Sequence, residues 1–220
     1  MKNKTATILS VIIFYSTLIT AQVQVSKEPL HKKVLENKYI RLLDVWLQPG
    51  DTTLFHIHST PSLFLQFTNT YIQTQLKGQG WIKEETVAGN VSYLSFDPDV
   101  RVHRVTNCDT VPFHVTDLEI LSAYKPTEKI KPLPFTMLFE NEKAVAYRLT
   151  SSSFNKQIIS DRGPMIAELV AGDRVILNNA KGKKQSEIKT GKYLYIEPGS
   201  SFYFSAIGNE EINLVLFEIK

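Results

Sequence analysis

Short apolar runs separated by turn-forming residues dominate the chain after its first 38 residues. The runs are rich in Val, Ile, Leu, Phe and Tyr, and Gly, Asp, Asn and Pro interrupt them about every 8 to 12 residues. No segment with a helical period is longer than two turns. The pattern predicts an all-β sandwich or barrel, with strands in the first half at residues 39–47, 53–58, 63–68, 71–76, 91–96, 103–106 and 113–121.

The second half of the chain repeats the first half in a weaker form. Residues 61–66 align with residues 164–169, and residues 89–121 align with residues 191–219, so that both blocks end in a Leu/Phe-Glu-Ile strand. We therefore expect two tandem β-barrels. The N-terminal domain is predicted at residues 22–124 and the C-terminal domain at residues 125–220, with a linker rich in Pro and Lys near residues 125–134.

Three histidines form the strongest candidate for a functional site. His56 and His58 lie two residues apart in a predicted strand, so their side chains share one face, while Phe55 and Ile57 point to the other face. His103, in a later strand, would complete a facial three-ligand site that leaves positions free for water or substrate. The pattern predicts a divalent metal ion at this site and does not choose among Fe, Mn, Ni and Zn.

The same residues carry a resemblance to the cupins. Gly50, five further residues and then His56-Ile57-His58 match the first half of the first cupin motif. Residues 98–107 resemble the second motif, which contains His103 and ends with Asn107. The resemblance implies that the two barrels are cupin-type jelly rolls and that Asn107 belongs to the pocket.

One ligand of the cupin motif has no counterpart in this sequence. Ser62 or Leu63 stands where the motif has its glutamate, and Val100 replaces a glycine of the second motif. The resemblance therefore implies a metal site of three histidines without the usual carboxylate. Glu36, which precedes the first predicted strand, is a candidate to replace that carboxylate from outside the motif.

Strand alternation suggests which other side chains line the pocket. Ser62, Phe64 and Gln66 share one face of their strand, where Phe64 would form an apolar wall and Gln66 would hold a water or a substrate group. Gln66 could equally be a polar residue on a solvated face. His114 is a further candidate for the pocket, or else a partnered strand residue, and we expect His31 to be exposed in its lysine-rich segment.

The internal repeat predicts that only the first barrel binds metal. In our alignment His56 and His58 correspond to Ile159 and Asp161, and His103 corresponds to Tyr203. The C-terminal barrel thus lacks a set of imidazole ligands. We expect it to supply packing surface, a wall of the pocket or a homodimer interface.

The first 21 residues have the pattern of a secretory signal peptide. Lys2 and Lys4 precede an apolar stretch at residues 8–19, and cleavage after Ala21 fits the preference for small residues. An uncleaved membrane anchor is the alternative, although the stretch is short for a span. We expect a periplasmic or secreted protein that has no membrane association after cleavage.

Composition narrows the classes of partner. The formal net charge of +3 falls to +1 when Lys2 and Lys4 are removed, and the remaining basic residues are interleaved with acidic ones, which argues against nucleic-acid binding. Cys108 is the single cysteine, so the chain has no internal disulfide and must rely on core packing.

Two classes of function fit these features. The first is a metal-dependent enzyme acting on a small organic substrate, either a dioxygenase-like oxidoreductase or a lyase, hydrolase or isomerase. The second is a non-catalytic periplasmic protein that binds a small ligand or serves a structural role. No catalytic acid–base pair stands out in the sequence.

Overall fold

The computed structural model describes residues 22–126, 131–154, 156–182 and 184–220, which form 18 strands and two short 3-10 turns. The first ten strands are β1 (Val23–Gln24), β2 (His31–Glu36), β3 (Ile40–Leu47), β4 (His56–His58), β5 (Ser62–Gln66), β6 (Thr70–Leu76), β7 (Trp81–Thr86), β8 (Val91–Leu94), β9 (Arg101–Asn107) and β10 (Phe113–Ile120). The other eight are β11 (Thr136–Glu140), β12 (Ala144–Thr150), β13 (Met165–Ala171), β14 (Arg174–Asn179), β15 (Gln185–Lys189), β16 (Lys192–Ile196), β17 (Phe202–Ile207) and β18 (Asn213–Ile219).

Two five-stranded sheets form the first barrel, in the orders β1-β4-β9-β6-β7 and β2-β3-β10-β5-β8. Alternation along β3 and β10 turns one set of apolar side chains into the barrel. Leu43, Val45 and Leu47 of β3 meet Phe113 and Val115 of β10 in this interior core. His56, His58 and His103 lie on the opposing sheet, across the barrel from this apolar core.

The second barrel repeats the topology of the first. Its five-stranded sheet has the order β11-β12-β18-β13-β16, which corresponds strand for strand to β2-β3-β10-β5-β8, and a three-stranded sheet has the order β15-β14-β17. The prediction of two tandem barrels in an all-β chain is confirmed. The boundary predicted between residues 124 and 125 falls in the stretch between β10 and β11 and stays a prediction.

The β2-β3-β10-β5-β8 sheet of the first barrel packs against the five-stranded sheet of the second barrel through a shared apolar core. The first barrel contributes the side chains that alternate away from its interior, and the second barrel does the same. The fully or nearly fully buried members of this inter-barrel core are Ile40, Leu42, Leu63, Leu65, Phe67, Leu118, Ile120, Ala144, Ala146, Ile166, Val170, Val215, Phe217 and Ile219. Because both barrels bury the same interface, we expect them to unfold together.

A polar group is buried at one end of the inter-barrel core. His114 donates from Nε2 to the Asp44 carboxylate at 2.8 Å, and its ring is stacked between Trp46 and Phe67 with centroid distances of 3.8 and 4.3 Å. Nearby, the Thr116 hydroxyl donates to Glu168 of the second barrel at 2.6 Å. These contacts place His114 and Thr116 on the face of β10 opposite the barrel interior.

The buried carboxyl of Glu168 should make stability depend on pH. Burial, together with the nearby charge of Asp44, raises the pKa of Glu168 to about 8 from its usual 4.5, although the hydrogen bond from Thr116 lowers it. The folded state therefore holds a proton that the unfolded chain releases, so stability is greatest below about pH 4.5 and falls as the pH rises toward 8.

We expect Glu168→Gln to remove that part of the pH dependence. Each tenfold change in proton affinity is worth about 1.4 kcal/mol, so the variant should be more stable than the wild type by several kcal/mol at pH 8.5 and similar to it at pH 5. Urea unfolding at both pH values measures the difference. Equal stabilities at pH 8.5 would show that Glu168 is ionised without cost in the native protein.

The predicted signal peptide, residues 1–21, lies outside the described residues. Within the described part of the chain, no helix has the length and apolar character needed to span a membrane.

Candidate metal centre

Strand pairing brings the three predicted histidines together. His56 and His58 point to the same side of β4, and His103 on β9 is the direct cross-strand partner of His56. One ring nitrogen of each histidine lies within 4.8 Å of those of the other two. The three rings enclose a point that a single ion can reach.

The ring nitrogens of this histidine cluster lack partners. His56 donates from Nδ1 to the Leu54 carbonyl at 2.8 Å, which leaves the lone pair on Nε2. His56 Nε2 and both nitrogens of His103 are buried without a hydrogen-bond partner in the described residues, and the nearest polar atom to the buried Nδ1 of His58 is an Asp117 oxygen at 3.4 Å, too far for a good hydrogen bond. Buried polar atoms are normally paired, so this group of orphaned nitrogens fits a metal ion better than it fits a packed core.

Burial keeps the three imidazoles neutral. Loss of solvent lowers the pKa of His56 to about 4 and that of His58 to about 2, and it lowers the pKa of His103 further still. The proximity of the other imidazoles and of Arg101 acts in the same direction. At neutral pH each ring therefore offers a lone pair, which is the form that binds a metal.

A carboxyl group that the sequence analysis missed lies beside the cluster. Asp117 on β10 points into the first barrel, and its Oδ2 is 3.4 Å from Nδ1 of His58, although neither oxygen has a hydrogen bond of good geometry. Burial raises the pKa of Asp117 to about 8, and the charge of Glu119 adds to that effect. A carboxyl at this place can hold the His58 ring in orientation, as carboxylates do behind metal-bound histidines.

His31 also belongs to this site, so its predicted exposure is wrong. It is only 9% exposed, its ring lies 4.6 Å from that of His56, and Nδ1 donates to Glu28 at 2.7 Å. The other oxygen of Glu28 accepts from the Leu54 N–H at 3.1 Å. Glu28 thus holds the backbone of Leu54, whose carbonyl accepts from His56. Burial alone would raise the pKa of Glu28, but its hydrogen bonds lower it.

The histidines open on a cavity of about 140 Å³. Its wall combines apolar side chains with the histidines and several other polar side chains. The lining residues are His31, Val45, Leu47, Thr53, His56, His58, Phe64, Ile72, Thr74, Glu84, Ser92, Leu94, Arg101, His103, Val105, Phe113 and Val115. The arrangement is a small pocket of apolar and polar side chains next to three imidazoles, a kind of lining found in sites for small molecules.

The second barrel has an apolar core where the first has its histidines. Ile159 forms a bridge with Phe202, in the way that His56 pairs with His103, and both side chains are buried. Phe202, and not the predicted Tyr203, therefore occupies the position of His103, because the alignment was one residue out of register. Among the described residues, no second group of three metal-binding side chains meets the criteria that the histidine cluster meets.

No protein-family model matches the sequence, and no curated protein matches it. Solved structures do resemble the fold. AerE from Microcystis aeruginosa is 11% identical with a TM-score of 0.59, covering 88% of this chain and 98% of its own. A cupin 2 conserved barrel domain protein from Leptotrichia buccalis is 11% identical with a TM-score of 0.55, covering 92% and 93%. The chain has a two-barrel cupin fold.

A third resemblance is to Bacillus subtilis oxalate decarboxylase, a protein with Mn(II) centres. It is 11% identical with a TM-score of 0.50, and the match covers 83% of this chain and 69% of the other. At these identities the likeness concerns the cupin fold alone.

Some of the predicted pocket residues line the cavity and others do not. Phe64 lines the cavity as expected. Ser62 and Gln66 share the same face of β5 but do not line the cavity. Ser62 is fully buried and donates to the Thr60 carbonyl at 3.0 Å, and Gln66 lies further along the strand.

Asn107 and His114 do not line this pocket. The amide of Asn107 donates to the carbonyls of Leu47 and Val111, each at 2.9 Å, so it closes the end of the barrel. His114 and Asp117 are an odd number of residues apart on β10, so their side chains point to opposite faces. His114 faces the second barrel and Asp117 faces the site.

Glu36 also lies outside the candidate metal centre. It forms exposed ion pairs with Lys33 and Arg41, whose hydrogen bonds hold its pKa at about 2. The carboxyl group next to the histidines is that of Asp117 instead.

We expect Glu28→Ala to weaken metal binding by about 10- to 100-fold. The substitution frees the Leu54 peptide and the His31 ring, so His56 loses the support that orients it. Competition with a metal-binding dye measures the affinity, and Glu36→Ala, the removal of an exposed ion-paired carboxylate, is the matched control. An unchanged affinity in Glu28→Ala would show that His56 is held by its strand alone.

Proposed function

We propose that the first barrel binds one divalent metal ion through His56, His58 and His103, and that the protein is a metal-dependent enzyme acting on a small organic substrate. The observation that carries the proposal is the set of three neutral, buried imidazoles that converge on one point, with Nε2 of His56 and both nitrogens of His103 lacking a hydrogen-bond partner in the described residues. The Mn(II) centres of the oxalate decarboxylase with this fold support a divalent metal. We infer a dioxygenase-like oxidation as the reaction type.

The bound ion would supply a Lewis acid with open positions for substrate and dioxygen. The chain's own residues determine how a substrate meets it. Three neutral ligands leave the full charge of the ion undiminished, and the apolar floor formed by Leu47 and Phe113 limits water. Asp117 behind His58 and Glu28 behind the Leu54 peptide keep the ligand rings in place.

Loading experiments separate the candidate reactions. Metal-free protein is given one equivalent of Fe²⁺, Mn²⁺, Ni²⁺ or Zn²⁺, and each form is screened with small organic acids for oxygen uptake and for carbon dioxide release. Oxygen uptake with Fe²⁺ that requires a substrate supports the proposal. Product formation without oxygen indicates a lyase or isomerase, and binding without turnover in every form indicates a non-catalytic ligand-binding cupin.

We also propose that the chain is exported to the periplasm or secreted. The proposal is supported by the charged start and apolar stretch of residues 1–21. The mass and N-terminal sequence of the protein isolated from its host test it. A mature chain that begins near Gln22 is expected, and an intact Met1 in a soluble intracellular fraction would contradict export.

A further inference from the structure

Arg101 is a cation without a partner at the edge of the metal centre. It lies on β9 two residues before His103 and pairs across the strands with His58. Its side chain lines the histidine cavity, and its Nε is buried without a hydrogen bond. Within the described residues, no carboxylate forms an ion pair with it, although the exposed Glu84 also lines the cavity.

The other arginines of the chain are all engaged by groups of the protein. Their partners are Glu36 and Glu119 for Arg41, Gln75 for Arg104, the Gly89 carbonyl for Arg148, Glu218 for Arg162 and Glu187 for Arg174. A guanidinium left unpaired beside a cavity is a common way to bind a carboxylate, because its planar donors match the two carboxylate oxygens.

From these contacts we propose that the cavity takes a small carboxylic acid, whose carboxylate is held between Arg101 and the histidine cluster. The inference rests on the proposed function, since a divalent ion held by three neutral ligands would add positive charge at the same place. Together the ion and Arg101 favour an anionic ligand over a neutral one of the same shape.

The cavity also sets the size of the acid. Its volume of about 140 Å³ is well below the roughly 300–1,000 Å³ of pockets for drug-sized ligands. Beyond the polar end the wall is formed by Val45, Leu47, Ile72 and Phe113. The ligand is therefore a monocarboxylate with a short alkyl part of about two to four carbons.

Calorimetric titration of the Zn²⁺-loaded mature protein tests the proposal. Butyrate is the probe, butyramide is its neutral counterpart, and octanoate tests the size limit. Arg101→Gln should weaken butyrate binding by about 10- to 100-fold, with Arg101→Lys between the two, because one charged hydrogen-bonding group is lost. Arg104→Gln on the same strand is the matched control, since Arg104 bonds to Gln75 and stacks on Trp81.

Metal content measured on the same samples separates this inference from the proposed function. Full zinc content with butyrate binding that depends on Arg101 supports both. Three results at full zinc content would overturn the carboxylate site alone. They are butyrate binding no tighter than that of butyramide, butyrate binding that Arg101→Gln leaves unchanged, and no detectable butyrate binding. If no variant holds zinc, the proposed function fails, and titration of the metal-free protein decides whether Arg101 still binds butyrate or does not.

Discussion

The His58→Ala variant should retain less than about one tenth of an equivalent of divalent metal under conditions in which the wild type holds one full equivalent. Three imidazoles are the whole ligand set that the described residues offer at this place, and His58 is the one supported by Asp117. Removing it leaves two ligands, which compete poorly with water for a divalent ion. Mass spectrometry of protein purified without chelators measures the content.

Asp161→Ala is the control for this variant. Asp161 occupies the position in the second barrel that aligns with His58, and it is exposed on a loop. Its replacement should leave the metal content at one equivalent. A full equivalent in His58→Ala, or a loss in Asp161→Ala, would place the metal elsewhere in the chain.

Phe217→Ala should lower the free energy of unfolding by about 3–5 kcal/mol, the usual cost of removing a fully buried aromatic side chain. Phe217 belongs to β18 of the second barrel, but its ring lies in the inter-barrel core with Leu63 and Leu118 of the first. The cavity that it leaves should therefore destabilise both barrels. Urea unfolding measures the effect.

Two probes distinguish a shared effect from a local one. Both tryptophans, Trp46 and Trp81, lie in the first barrel, so fluorescence reports on that barrel, whereas far-ultraviolet circular dichroism reports on both. We expect the two transitions to coincide and to shift together in Phe217→Ala. Ile207→Ala, at an exposed position of the second barrel, should change stability by less than about 0.5 kcal/mol. A fluorescence transition that does not move would show that the barrels unfold independently.

The fold and the ligands of the candidate site follow from strand alternation. Because side chains two apart share a face, His56 and His58 had to point the same way, and the cross-strand position of His103 follows from pairing of β4 with β9. The same rule placed Phe64 in the cavity. Strand β7 and strand β2 were missed, since Lys and Glu residues on exposed or edge positions hide the apolar pattern.

The supporting residues of the site could not be found by pattern. His31 is buried although its neighbours Lys32 and Lys33 are exposed, because it pairs with Val45, an interior residue of β3, and its ring bonds to the buried Glu28. Asp117 lies in a strand that is buried along its whole length, so alternation does not single it out, and its role depends on the tertiary contact with His58. The sequence left His114 as a pocket residue or a partnered strand residue, and the contacts with Asp44 and Trp46 decide for the second.

The most direct test of the account is an anomalous difference map from a crystal of the metal-loaded protein, recorded at the absorption edge of the metal. We predict one peak per chain, at roughly 2.0 to 2.2 Å from one ring nitrogen of each of His56, His58 and His103, with Asp117 behind His58. A map with no peak between these three rings, or with its strongest peak bound by other residues, would contradict the assignment of the metal centre.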